Sequence, residues 1–140
     1  MAFMNTTIQF KEYPKSVKLA ILFLILGWGL HYVFYFKFLM GDETVRIIYL
    51  QVGIGTAICY LVASINRWAK VMCIFFNLGI IALYLLLFAV YLQTGKQTLS
   101  AFTLTVALLF CLATYSLLRK ETRDYFNVYN MTEDDNASAG

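Results

Sequence analysis

The sequence predicts an all-α membrane protein, an antiparallel bundle of four transmembrane helices. Three observations predict it. Of 140 residues, 61% are hydrophobic and 14% charged. Ordinary soluble domains carry about 25% charged residues, so polar side chains here are too few to cover a globular surface. The apolar residues are gathered into four long runs, each close to the roughly 20 residues that a helix needs to cross about 30 Å of hydrocarbon. The chain holds a single proline, and open strands are excluded because unpaired backbone groups in lipid are costly. An aromatic content of 17% excludes intrinsic disorder.

The first run covers about 17–39. Its basic lead-in of Lys11, Lys15 and Lys18 resembles that of a signal peptide. The run exceeds an h-region of roughly 7–15 residues, and no small-x-small cleavage site precedes the bulky Tyr35-Phe36-Lys37-Phe38 stretch, so it reads as a retained helix. The second run, about 45–65, follows a tight turn at Gly41-Asp42-Glu43-Thr44, whose acids suit the positive end of the next helix dipole. Asn66-Arg67-Trp68 turns the chain into the third run, about 69–92, and Thr94-Gly95 turns it into the fourth, about 98–118. These four runs make a transmembrane domain over 17–118, preceded by a cytoplasmic segment at 1–16. Residues 119–130 alternate charge with aromatic rings and read as an amphipathic segment on the inner membrane surface. Residues 131–140 are acidic, small and polar, the composition of a flexible tail.

Orientation follows from the basic residues flanking the runs. Lys11, Lys15, Lys18, Arg67, Lys70, Arg119, Lys120 and Arg123 fall on the side of the termini, and only Lys37, Arg46 and Lys96 on the other. Both termini are therefore expected in the cytoplasm, with the protein as a multi-pass component of a cell inner membrane. Sequons at Asn5, Asn130 and Asn136 would become glycosylation sites if that side were luminal, but such triplets arise by chance and the charge asymmetry decides. Cys59, Cys73 and Cys111 then lie near the cytoplasmic ends of their helices, where disulfides are not expected. They lack the paired spacing of a zinc or iron–sulfur site. No metal and no cofactor is expected.

Helices in lipid associate through small residues and through polar groups that find partners across the interface. At helical spacing the first helix offers Ala20, Gly27 and His31, and the second Gly53, Ala57, Tyr60 and Ser64. The third offers Cys73, Asn77, Tyr84 and Tyr91, and the fourth Ser100, Thr103, Ala107, Cys111 and Thr114. Gly27, Gly53, Ala57 and Ala107 are the expected helix-packing positions. Counting depth from the helix ends predicts two polar layers. In the outer one His31 meets Tyr84 or a threonine of the fourth helix. In the inner one Asn77 meets Thr114 or a backbone carbonyl.

His31, Asn77, Tyr84, Tyr60, Thr103 and Thr114 thus form the candidate intramembrane polar site. His31 is the single histidine, and an ionisable group inside a span is a functional candidate by default. A proton relay, or one of two axial haem ligands in a homodimer, stands beside the plainer reading of a neutral imidazole bonded to Tyr84. Every acid lies in a loop or tail, and no nucleophile–base pair or phosphate-binding glycine loop occurs. An enzyme is not expected. The net charge of +3 is spread over helix ends, where threading accounts for it, so no nucleic-acid partner is expected.

Three segments carry a resemblance: Tyr13-Pro14-Lys15-Ser16-Val17, Asn66-Arg67-Trp68-Ala69-Lys70 and Glu121-Thr122-Arg123-Asp124-Tyr125-Phe126. Together they are similar to a widespread group of small bacterial inner-membrane proteins with a Pro-x-Ser-Val-like entry, an Arg-x-Trp-Ala-Arg-like turn and a Tyr/Trp-Phe ending. The resemblance spans nearly the whole chain, although the bulkier Phe and Tyr content and the acidic tail depart from it. It implies four helices with cytoplasmic ends and brings no activity with it. The expected function is that of an accessory, scaffold or immunity-type partner of another membrane protein, or of a second copy of itself, within the lipid bilayer. The alternative is a small oligomeric transporter or channel with a path lined by His31, Asn77 and Tyr84. Small multidrug transporters have this length but depend on an intramembrane carboxylate, and none is present.

Overall fold

The computed structural model describes residues 12–38, 44–65 and 67–140. The expected turn at 41–43, the sequon at Asn5, Lys11 and Asn66 lie outside them. Among the described residues the chain is entirely helical, in five helices: α1 (Lys15–Phe38), α2 (Thr44–Ala63), α3 (Arg67–Gln93), α4 (Gln97–Leu118) and α5 (Lys120–Ser138). By length and composition α1, α3 and α4 are able to cross a membrane, while the apolar part of α2 is the shorter stretch Tyr49–Ala63.

Packing is unequal. The largest contacts are those of α4 with α3 and with α1, whereas α2 touches α1 and α3 only lightly. The inward stripe of α1 is Val17, Ala20, Ile21, Leu24, Gly27, Trp28, His31 and Phe34, spaced by three and four residues as one helix face requires. The residues that α4 buries against α1 and α3 include Thr103, Val106, Ala107, Phe110, Ala113, Thr114 and Leu117. Gly27 lets Phe110 press onto the α1 backbone, since a Cβ at 27 would stand 3.2 Å from that ring. Toward the other end Phe34 stacks on Phe102, with centroids 5.8 Å apart, and meets Tyr84 and Tyr91 edge-on. Such aromatic pairs contribute about 0.5–1.5 kcal/mol beyond the area they cover.

The turns have identifiable causes. α3 ends on Gly95 in the left-handed region, with Gly95 N–H donating to Leu92 and Lys96 N–H to Tyr91, the paired bonds of a Schellman cap. α2 ends on Ile65, also left-handed at φ 57, a conformation costing a β-branched residue on the order of 1–3 kcal/mol. Neighbours hold it there. Ile65 is buried, Asn130 Nδ2 donates to its carbonyl at 3.4 Å, and the Tyr13 hydroxyl donates to Ala63 O at 2.6 Å.

α5 starts after Arg119, where the backbone leaves the helical region. Its first half folds against the ends of α1, α3 and α4. Thr122 donates to Ser116 O at 2.8 Å, Phe126 is buried, and Tyr125 meets Tyr13 edge-on at 5.9 Å. The boundary expected at 130 does not coincide with a helix end, because α5 continues to Ser138 through the acidic stretch. Thr132 bonds back to Val128 O there.

Candidate functional site

Two polar groups of residues cross the helix interfaces. In the outer one the Tyr84 hydroxyl of α3 lies 2.7 Å from His31 Nδ1, and Gln51 Oε1 of α2 lies 3.1 Å from His31 Nε2. A carboxamide oxygen only accepts, so Nε2 donates to Gln51, and in the neutral ring Nδ1 accepts from the Tyr84 hydroxyl. Both nitrogens are engaged, and the residue is 3% exposed. The rings of Tyr35, Trp28, Tyr84 and Tyr32 surround it at centroid distances of 4.8, 5.4, 5.6 and 5.9 Å. Tyr32 also donates to Gln51 O and Val52 O, at 3.2 and 3.3 Å, tying α1 to the α2 backbone.

Gly55 makes this approach possible. A Cβ at that position would overlap the Tyr32 hydroxyl and stand 2.7 Å from Trp28 Cε3. The inward residues of α2 are therefore Gly55, Ile58 and Val62, with Gln51 one turn earlier.

In the inner group Asn77 Nδ2 donates to Thr114 Oγ1 at 3.0 Å, and that hydroxyl donates in turn to Phe110 O at 2.8 Å. The Cys73 thiol lies 3.9 Å from Asn77 Oδ1. Each member is buried and each finds a partner, as polar groups among apolar helices must.

The structure thus brings His31 to Tyr84 and Asn77 to Thr114. Thr103 is buried but bonds within its own helix, to Ser100 O at 2.9 Å. Gly27 lies against Phe110 of α4, and Ala107 is buried. The expected stripe on α2 is corrected: Gly53, Ala57 and Tyr60 are exposed, Tyr60 by 58%, and nothing lies within 4 Å of a Cβ built at Gly53. The inward stripe starts two residues earlier, and two residues rotate a helix by about 200°, to its opposite face. Cys111 is likewise exposed, because Phe110 takes the inward position between Ala107 and Thr114.

Gln51, Gly55, Trp28 and Tyr32 complete the outer group and were not among the expected site residues. Gln51 carried a signal, being a carboxamide inside an apolar run. Among the described residues, no group of three or more His, Cys, Asp or Glu side chains is placed to hold a metal. In comparisons with protein-family models, curated proteins and solved structures, nothing matches this chain.

Proposed function

We propose that the protein is a non-enzymatic, multi-pass membrane protein that works by binding another membrane protein, as an accessory, scaffold or immunity-type partner. In this reading α1 to α4 all cross the bilayer as an antiparallel bundle. The length of α2, 20 residues or about 30 Å, supports a fourth span. Pairs such as Phe34 of α1 with Phe102 of α4 and Asn77 of α3 with Thr114 of α4, each joining the early half of one helix to the late half of another, support the antiparallel order. The excess of basic residues beside the termini supports cytoplasmic ends in a bacterial inner membrane, in line with the small-protein group the sequence resembles.

One observation carries the functional reading. His31 with Tyr84 and Gln51, and Asn77 with Thr114, engage one another across the helices, while the small and hydroxyl-bearing stripe of Gly53, Ala57 and Tyr60 faces outward on the most thinly packed of α1 to α4. Small residues three or four apart allow helix backbones to approach closely within lipid, so this is the face on which a partner helix docks. Capture of the full-length chain from native membranes in mild detergent tests it. Gly53→Leu combined with Ala57→Leu should abolish capture of the partner while leaving the fold intact, and His31→Leu should leave capture unchanged. Undiminished capture by the double variant overturns the reading. So does a proton-linked flux in vesicles that His31→Leu abolishes, which would favour the transporter. Co-capture of two differently tagged copies identifies the partner as a second copy.

A further inference from the structure

The end of the molecule carrying α5 gathers basic residues from two helices. Arg67 and Lys70 open α3, where a charge bias at the membrane surface accounts for them. Arg123 is different, because α5 folds back and carries it there. Asn130 reaches Ile65 O, and Lys70 Nζ lies 5.5 Å from the centre of the Phe126 ring. These two contacts pin α5 against the start of α3. Arg123, one turn before Phe126, is thereby brought within electrostatic reach of Lys70. Lys70 feels the positive charges of Arg123 and Arg67 and the negative charge of Asp124. Lys70 is half-buried and rests on the Phe126 face, while Arg67 and Arg123 are exposed. Trp68, 80% exposed at the same end, is of the residue type enriched where headgroups meet hydrocarbon.

We propose that Arg67, Lys70 and Arg123 form a site for the phosphodiester of an anionic phospholipid headgroup. Three cations opposed by Asp124 leave an excess of positive charge, which favours the single negative charge of a phosphodiester. Guanidinium groups pair with phosphate oxygens in a bidentate fork, and an ammonium supplies a point charge. The inference rests on reading this end as a membrane surface and is independent of the partner face on α2.

Native mass spectrometry of the full chain in mild detergent tests it, titrating phosphatidylglycerol and phosphatidylcholine of identical acyl chains. Phosphatidylglycerol should be retained preferentially. Arg123→Gln and Arg67→Gln should each weaken its retention about fivefold, since a basic residue at an anionic surface contributes on the order of 1 kcal/mol. Lys96→Gln, at the α3–α4 turn, should change nothing. Equal retention of the two lipids overturns the proposal, as does equal loss in Lys96→Gln. Displacement of the lipid by excess inorganic phosphate would make the site one for soluble phosphate and overturn it also. Gly53→Leu with Ala57→Leu should retain the lipid normally, which separates failure of this site from failure of the docking face.

Discussion

The α1–α3–α4 core and helix α2 are built from the same apolar residue types, yet they are held in different ways. In the core, Phe110, Leu24, Tyr84 and Phe34 are fully buried, and the Asn77–Thr114 pair closes the inner interface. α2 has small contacts with α1 and α3 and is fastened at a few points: Gln51 to His31, Tyr32 to the carbonyls of Gln51 and Val52, Gly55 beneath Trp28, and Tyr13 to Ala63. The difference teaches that among lipid-soluble helices attachment depends on close approach and specific hydrogen bonds. Apolar area does not provide it, because lipid tails are as apolar as leucine.

The sharpest test of this contrast compares two phenylalanines. Phe110→Ala should cost about 3–5 kcal/mol through the cavity it leaves among α1 and α4 residues. Phe75→Ala on the exposed face of α3 should fall within about 0.5 kcal/mol of the parent. Reversible unfolding in mixed detergent micelles measures both, and similar losses would break the comparison.

Two glycines of α2 come next. Gly55→Val should cost about 1–3 kcal/mol, because the new side chain meets Trp28 and Tyr32 and pushes α2 away from α1. Gly53→Val should leave stability unchanged. A cross-link engineered between α1 and α2 should form slowly in the first variant and normally in the second.

Gln51→Leu leaves His31 Nε2 without its acceptor inside an aromatic enclosure. Interhelical hydrogen bonds within membranes contribute about 0.6 kcal/mol on average and reach about 1.7, so a loss near the upper value is expected. Combined with His31→Leu, the second substitution should cost less than it does alone, and a double-mutant cycle reads that coupling. Strict additivity would show that the 3.1 Å contact does not fasten α2.

The smallest effect concerns pH. Burial, followed by the neighbouring Tyr125 and Tyr129, raises the Tyr13 phenol above its ordinary value. The folded chain therefore favours the neutral, donating form that bonds Ala63 O. The contribution is fully present below about pH 10, the ordinary tyrosine value, and is lost as pH rises through the raised folded value. Stability should decline over that alkaline range, and Tyr13→Phe should flatten the decline. An unchanged slope would remove Tyr13 from the fastenings of α2.

The helical class was legible in the sequence, and so was a short choice of partners for two polar residues: Tyr84 or a threonine for His31, Thr114 or a carbonyl for Asn77. A histidine and an asparagine inside apolar helices need hydrogen-bond partners, and Tyr84 and Thr114 stood at matching depths. The rotation of α2 was decided only by the tertiary structure. In water an outward face is polar and periodicity reveals it. Both faces of α2 are apolar, so Gly53 and Ala57 carry the same packing signal as Gly55 and Cys59. The placement of Arg123 beside Lys70 was hidden for a related reason. It depends on where α5 folds back, and that is fixed by Asn130, Thr122 and Phe126 finding partners on three other elements, contacts that no local spacing encodes.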